Sequence, residues 1–255
     1  MRVEKIGLAT LYLGDCREIA PGLEPESVTL LWTDPPYGHG NHDGDLNARL
    51  NDHRGIENRP IANDTADTMR EVVDAALLAF LPALRHESCC CCCCCCCCCG
   101  GGGPKPTFAW LAERMDRDGL AFFHSVIWDK LNPGLGWRFR RRHEMVMVAH
   151  RRGGKLAWQN DARAVANIWE GSPPRDRLHP NEKPEALPAH FIELTTKPDE
   201  CVLDPFMGAG TTGVAATRLG RRFIGIEIEE RYFDIACRRI EEAQRQGDMF
   251  RDAVA

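Results

Sequence analysis

Apolar residues recur along this chain with two periods, which divide it into alternating strands and helices. A run of β-branched and large apolar residues at 28–33 predicts a buried strand. Apolar residues at helical spacing from Met69 to Leu84 predict an amphipathic helix. This alternation is typical of an α/β fold. The predicted strands are 6–13, 28–33, 120–128, 144–150, 201–203 and 223–227, and the predicted helices are 16–20, 67–85, 106–115, 185–196, 214–219 and 232–243.

Two of these strands, 120–128 and 144–150, are joined without an intervening helix. Their connection contains Gly134 and Gly136 and has no apolar repeat of helical period. A parallel pair needs a long crossover, usually through a helix, whereas an antiparallel pair does not. We therefore expect a mostly parallel sheet that carries this antiparallel pair at its edge.

An unbroken run of eleven cysteines, Cys89 to Cys99, precedes the glycines Gly100 to Gly103. A disulfide framework spaces its cysteines through loops, and a zinc site needs four converging ligands. Side chains of an extended run alternate between two faces and do not converge. Because free cysteine packs as a small hydrophobe, a buried parallel strand is favoured. Metal or redox chemistry is the alternative, and no metal site is predicted.

Length and charge limit the classes of protein to consider. A chain of 255 residues fits a single domain, 1–255. Its net charge is −5, so any nucleic-acid contact needs a local basic patch. The amino terminus lacks the apolar core of a signal peptide, and no uncharged apolar stretch of about 18 residues is present, so we expect a cytoplasmic protein. Residues 38–64 are polar and glycine-rich, and they predict a long flexible loop.

Positive charge is concentrated in one part of the chain. From Lys130 to Lys183 there are twelve Lys and Arg residues against five Asp and Glu residues. Aromatic residues interleaved with arginines suit phosphate neutralisation and base stacking, whereas a solvated arginine face is the alternative. We expect residues 130–176 to contact nucleic acid. The candidate arginines are Arg138, Arg140, Arg141, Arg142, Arg151 and Arg152.

The strand at 28–33 ends in the sequence Asp34-Pro35-Pro36-Tyr37-Gly38. Two successive prolines end a strand abruptly, because proline cannot donate to the ladder and restricts the preceding residue. This places an acid and an aromatic ring at the carboxyl end of a strand, where ligands of open α/β sheets bind.

A second motif, Asp204-Pro205-Phe206-Met207-Gly208-Ala209-Gly210, lies between a short strand and a helix. The strand that follows ends at Glu227, 17 residues beyond Gly210. A glycine-rich turn with an acid at about this spacing is typical of nucleoside binding, the acid accepting the ribose hydroxyls. The turn is not Gly-x-Gly-x-x-Gly, so a nucleoside without phosphates is favoured over a pyrophosphate.

Together these motifs resemble the β group of amino-methyltransferases. Asp34 to Tyr37 is similar to the catalytic Asp/Asn/Ser-Pro-Pro-aromatic tetrapeptide, and Asp204 to Thr212 is similar to the S-adenosylmethionine motif. His179 to Pro184 resembles the family's His-Pro-Thr-x-Lys-Pro motif, with Asn181 in place of threonine. The resemblance implies a Rossmann-like methyltransferase sheet, a permuted order with the catalytic motif first, and a small inserted target-recognition region.

The resemblance also implies roles for individual residues. Asp34, Pro35, Pro36 and Tyr37 would act on an exocyclic amine of a flipped base. Asp15 would contact the cofactor's adenine region, although its place after a strand equally suits a helix cap. Asn181 and Lys183 would lie near the methionine carboxylate. The full expected cofactor set is Asp15, Asn181, Lys183, Asp204, Phe206, Gly208, Gly210, Thr211 and Glu227.

The implied function is site-specific methylation of double-stranded DNA, as in restriction-modification. Asp at position 34 favours adenine N6 over cytosine N4 within the family. The recognition region is small, so either the DNA site is short or a second subunit of a homodimer contributes. A DNA-binding module without turnover and a nicotinamide oxidoreductase on a similar fold are the competing classes, and RNA or protein remains an alternative substrate.

Overall fold

Most of the candidate site residues follow the carboxyl ends of strands, so the order of the strands in the sheet decides which of these residues meet. The computed structural model describes residues 1–36, 62, 66–94, 107–134, 140, 142–159, 164–174 and 182–252. The strands in these ranges are β1 (Arg2–Ile6), β2 (Ala9–Leu13), β3 (Val28–Thr33), β4 (Leu84–Cys94), β5 (Leu120–Asp129), β6 (His143–Arg151), β7 (Lys155–Leu156), β8 (Ile168–Glu170), β9 (Cys201–Asp204) and β10 (Arg222–Glu227). The helices are α1 (Cys16–Ile19), α2 (Ala66–Phe80), α3 (Thr107–Arg114), α4 (Ala186–Thr195), α5 (Thr211–Arg218) and α6 (Glu230–Asp252).

The strands form one mixed sheet in the order β1-β2-β10-β9-β3-β4-β6-β5-β8, and β7 pairs with β4. Five neighbouring strands, β2, β10, β9, β3 and β4, run parallel. β1 is antiparallel to β2, and β6 is antiparallel to both of its neighbours. The predicted α/β class with a mostly parallel sheet is therefore confirmed.

Three details differ from the sequence prediction. The strand predicted over 6–13 is a hairpin, because Gly7 has a φ of +54° and turns the chain between β1 and β2. The helix predicted over 67–85 ends at Phe80, and a 3-10 turn containing Pro82 leads directly into β4. The pair β5 and β6 is antiparallel as predicted, but β5 is not the edge strand, because β8 pairs with its outer side, Ile127 opposite Ile168.

Helices cover both faces of the sheet and form two apolar cores. One core packs α4, α5 and α6 on the sheet through residues such as Phe191, Val214 and Ile240. The other packs α1, α2 and α3 through residues that include Ile19 and Leu77. A parallel sheet that is covered on both faces requires apolar side chains on both sides of its central strands.

The cysteine run supplies such a strand. Cys89 to Cys93 lie in β4 between β3 and β6, and each is at most 2% exposed. Cys89, Cys91 and Cys93 face the first core, whereas Cys90 and Cys92 face the second. The predicted buried strand is thus confirmed for these five residues, and Cys95 to Gly103 lie outside the described ranges.

Two features are absent from the described residues. Within those ranges, no group of three or more His, Cys, Asp and Glu side chains is placed to hold a metal ion. Nor does any helix in the same ranges combine the length and apolar character needed to cross a membrane. Apart from Ala62, the loop predicted at 38–64 lies outside the described residues.

The burial of Cys91 generates a stability prediction. Valine and threonine have nearly the same shape, so Cys91→Val and Cys91→Thr differ mainly by one hydroxyl group. Burying that hydroxyl in an apolar core costs about 1–3 kcal/mol. We expect urea denaturation to find a lower free energy of unfolding for the threonine variant by this amount. Equal stability of the two variants would contradict the apolar surroundings of β4.

Candidate active site

Four acidic residues follow four neighbouring parallel strands and line one cavity. In sheet order they are Asp15 after β2, Glu227 at the end of β10, Asp204 at the end of β9 and Asp34 after β3. The chain reaches this edge repeatedly because parallel strands present all their carboxyl ends on the same side. Apolar side chains complete the walls, among them Trp32, Val72, Phe206, Met207, Ile226, Ile228 and Tyr232.

Asp34 is held by a lysine from a distant part of the chain. The Lys183 Nζ atom lies 2.8 Å from Asp34 Oδ2. Pro35 and Pro36 line the same cavity, as the end of β3 directs them there. Tyr37 lies outside the described residues, so its predicted stacking role stays a prediction.

The glycine-rich turn after β9 needs glycine at position 210 on two grounds. Gly210 has a φ of +82°, and a Cβ atom there would lie 2.8 Å from the Ala236 Cβ on α6. Gly208, with a φ of +51°, has open space where its Cβ would be. The turn therefore presents backbone to the cavity at Gly208, while Gly210 lets α5 and α6 approach closely.

Asp204 stabilises this turn from inside. Its Oδ1 atom accepts the Phe206 N–H at 3.1 Å, and its Oδ2 atom accepts the Thr212 hydroxyl at 2.6 Å. Burial raises the pKa of Asp204 to about 7, although both hydrogen bonds act in the opposite direction. A carboxyl group in this position organises the turn in either protonation state.

Glu227 joins the turn to the end of β10. Its Oε2 atom accepts the Gly208 N–H at 2.9 Å, and its Oε1 atom accepts the Glu229 N–H at 2.8 Å. Burial raises the pKa of Glu227 to about 7. Each carboxylate oxygen offers a second lone pair, so both can accept further hydrogen bonds from a ligand in the cavity.

Asp15 caps a helix, as one interpretation of its sequence position predicts, while its contact with a cofactor stays a prediction. It is the N-cap of α1, where its Oδ1 atom accepts the Arg17 N–H at 2.9 Å, and it also lines the cavity. The Arg17 guanidinium lies 2.5 Å from Asp15 Oδ2 and holds the pKa of Asp15 below its ordinary value.

Two acidic residues of this region were missed by sequence reasoning. Glu182 binds Arg239 on α6 at 2.9 Å and accepts the Thr211 hydroxyl at 3.2 Å. Glu144 begins the apolar run of β6, and its Oε2 atom lies 3.4 Å from Lys183 Nζ. The position of Glu182 beside Lys183 was a usable signal, whereas Glu144 joins the site only through the order of strands in the sheet.

The candidate DNA-binding arginines fall into two places. Arg142 forms a bidentate pair with Asp129 at 2.6 and 2.7 Å, and Arg140 donates to the Gly134 carbonyl, both near the cavity edge of the sheet. Arg151 and Arg152 lie at the other end of β6, where they pair with acidic residues of that edge. The structure does not bring these two groups together. Arg138, Arg141 and Asn181 lie outside the described residues.

The strand order and the cavity at the carboxyl ends of the parallel strands define an α/β protein with a Rossmann-like sheet. Its motifs then identify the family. The model of the DNA methylase family, which comprises N6 and N4 methyltransferases, matches residues 28–238. The chain belongs to this family.

Named relatives and solved structures support this assignment. Type II methyltransferase M2.DpnII from Streptococcus pneumoniae is 35% identical over 144 residues, covering 50% of this chain and 54% of that protein. The chain spans about half the length of the first curated relatives it matches. A crystal structure of the M1.HpyAVI–SAM complex has a TM-score of 0.63 at 24% identity, covering 91% of this chain and 99% of that one. The cytosine-N4-specific PvuII DNA methyltransferase has a TM-score of 0.70 at 19% identity, covering 92% and 87%. At these identities the two structures establish the shared fold.

The raised pKa values of Asp204 and Glu227 generate a prediction for stability against pH. Between about pH 4 and 7 both groups are protonated in the folded state and ionised in the unfolded state. The folded state then binds more protons, so these two groups lower the free energy of unfolding as the pH rises through this window. We expect the free energy of unfolding, measured by urea denaturation, to decline less steeply from pH 5 to 8 in Asp204→Asn than in the wild-type protein.

The control for this measurement is Glu24→Gln, which changes an exposed carboxyl group that does not line the cavity. The decline of the free energy of unfolding with pH should persist in this variant. A parallel pH dependence in the Asp204→Asn and wild-type proteins would contradict the buried, protonated carboxyl.

Proposed function

We propose that this protein is an S-adenosylmethionine-dependent DNA methyltransferase that modifies the N6 amine of adenine. The observation that carries the proposal is the shared cavity of Asp34 and the Phe206–Gly210 turn. Family membership supports the reaction class, and the lining of the cavity supports the choice of residues. The M1.HpyAVI structure was solved with SAM, and the same cofactor is proposed for this chain.

The residues present fit the nucleoside part of this cofactor. The backbone at Gly208 faces open space, Glu227 offers hydrogen-bond acceptors, and apolar side chains provide walls for a base. Bound S-adenosylmethionine supplies an electrophilic methyl group on a sulfonium. We assign Phe206, Gly208 and Glu227 to direct cofactor contact, with Asp15 at its adenine end. Asp204, Gly210 and Thr211 shape the turn, and Asn181 keeps the role that the family resemblance gives it.

The proposed role of Asp34 follows from the chemistry of the amine. The lone pair of an exocyclic amine is delocalised into the base, so it is a poor nucleophile. Asp34 accepts one hydrogen bond from this amine and the Pro35 carbonyl accepts another, which favours a pyramidal nitrogen aimed at the methyl group. Pro36 fixes the bend, and Tyr37 stacks on the flipped base.

DNA is the proposed partner, in the cytoplasm, and the arginines near the cavity are its proposed contacts. Arg140 and Arg142, with Arg138 and Arg141, belong to the segment that joins β5 to β6 at this edge. We leave Arg151 and Arg152 out of the proposal, because Arg151 binds Glu26 and the Leu84 carbonyl at the opposite edge. A homodimer would supply a second recognition region, and sedimentation with and without DNA tests it.

Cytosine N4 is the second candidate target. The PvuII enzyme, which is cytosine-N4-specific, has the same fold. Asp34 favours adenine over cytosine, because Asp at the first position of the catalytic tetrapeptide goes mostly with adenine in this family. Digesting the methylated DNA to nucleosides and identifying the modified base decides between the two.

Replacing Asp34 tests the assigned chemistry. We expect Asp34→Ala to abolish transfer of labelled methyl groups to DNA, because the amine loses its acceptor. Cofactor affinity measured by calorimetry should stay within a few-fold, since Asp34 contributes no part of the glycine-rich turn. Asp116→Ala, which removes an exposed partner of Arg152, is the control and should keep full activity.

Three results would contradict the proposal. Near-normal turnover in Asp34→Ala would remove Asp34 from catalysis. A wild-type protein that binds DNA but transfers no methyl group would favour the binding-module class. Thermal stabilisation by a nicotinamide dinucleotide in preference to S-adenosylmethionine would favour an oxidoreductase.

A further inference from the structure

Asp34 is the first member of a line of four alternating charges. Lys183 Nζ lies 2.8 Å from Asp34 Oδ2 and 3.4 Å from Glu144 Oε2. The other carboxylate oxygen of Glu144, Oε1, binds the ammonium group of Lys130. These residues come from the segment after β3, the segment before α4, the start of β6 and the position directly after β5. The line therefore runs from the candidate catalytic acid to the first residue of the basic region at 130–176.

The two middle charges are buried, and burial makes their pairing necessary. The side chains of Lys183 and Glu144 are 7% and 11% exposed. A charge removed from water is stable only when it is paired, and removing one partner leaves the other uncompensated. Burial opposes both charges, yet Asp34 and Glu144 hold the pKa of Lys183 above its ordinary value. Lys183 and Lys130 likewise hold the pKa of Glu144 below its ordinary value against the effect of burial.

Lys183 is also fixed through its neighbour in sequence. Glu182 binds Arg239 on α6, and Arg239 donates to the Ala209 carbonyl at 2.7 Å. The backbone of Glu182 and Lys183 thus links the glycine-rich turn on one side with Asp34 on the other. A lysine tethered in this way has little freedom to follow a moving carboxylate, so it defines where Asp34 points.

We infer that Lys183 and Glu144 are positioning residues for Asp34: Lys183 orients the carboxylate and Glu144 holds Lys183 in place. The inference rests on the proposed function, and it gives Lys183 a role different from the contact with the methionine carboxylate that its motif implies. Neither residue needs to touch the base. Glu144 acts through Lys183, so its contribution exists only while Lys183 is present.

Kinetics of three variants test the inference: Glu144→Gln, Lys183→Met and the double variant. We expect Glu144→Gln to lower kcat by about 10-fold, and Lys183→Met by about 100-fold, as misplacement of a catalytic group does. The double variant should match Lys183→Met alone, because coupled residues are not additive. The dissociation constant for S-adenosylmethionine, measured by calorimetry, should change less than about 3-fold in each variant, the loss being in kcat.

The split between kcat and cofactor affinity is a readout that a general loosening of the fold would not give, because loosening would weaken cofactor binding as well. If Glu144→Gln fails to fold, the kcat and the cofactor affinity of Lys183→Met decide alone.

Glu185→Gln is the matched control, because it breaks the ion pair between Glu185 at the start of α4 and Arg218 on α5, and Glu185 does not line the cavity. It should leave kcat and the cofactor affinity unchanged. Full kcat in Glu144→Gln or in Lys183→Met, or additive losses in the double variant, would overturn the inference while leaving the proposed function intact. A large loss of cofactor affinity in Lys183→Met would favour the methionine contact instead. Absence of transfer by the wild-type protein would overturn both.

Discussion

The pairing of β3 with β9 is the constraint on which the site depends. Leu30 and Leu31 pair with Val202 and Leu203, so two strands from opposite ends of the chain lie side by side. Both are parallel, and the acids that end them, Asp34 and Asp204, consequently reach the same cavity. Every proposed role depends on this adjacency. Asp34 and the two prolines after it share a cavity with the glycine-rich turn only because β9 places that turn beside them.

Much of this arrangement follows from local sequence. The strands at 28–33 and 223–227 are marked by apolar runs, and α4 and α6 by helical periodicity. The turn at Gly208 and Gly210 is recognisable because glycine adopts positive φ angles readily, and at Gly210 a Cβ atom would also meet Ala236 on α6. The cysteine run was predictable as a buried strand because it is continuous and its side chains are small and apolar. These features depend on residues close to each other in the chain, which is why the sequence suffices.

What could not be predicted depends on strand order. β8 has only three residues and no detectable period, so nothing in the sequence indicates that β5 has a further neighbour. In the sequence, Glu144 is a single polar residue at the start of an apolar strand. Its contact with Lys183 exists only because β6 lies next to β4 in the sheet. The arginines illustrate the same limit. The number of arginines and their positive charge are apparent in the sequence. Only the direction of β6 places Arg142 near the cavity and Arg151 at the opposite edge of the sheet.

The five-cysteine segment of β4 has a consequence for the redox behaviour of the protein. Burial raises the pKa of the Cys90 and Cys91 thiols, so at neutral pH they stay protonated and are poor nucleophiles. Neighbouring side chains on an extended strand point to opposite faces, so the Cys90 sulfur lies on the other face from those of Cys89 and Cys91, which are 3.4 Å apart and buried. The folded protein therefore shields these thiols from oxidants and electrophiles. For these buried residues, sensitivity to oxidation is confined to the newly synthesised or unfolded chain, where they are exposed and free to form incorrect disulfides.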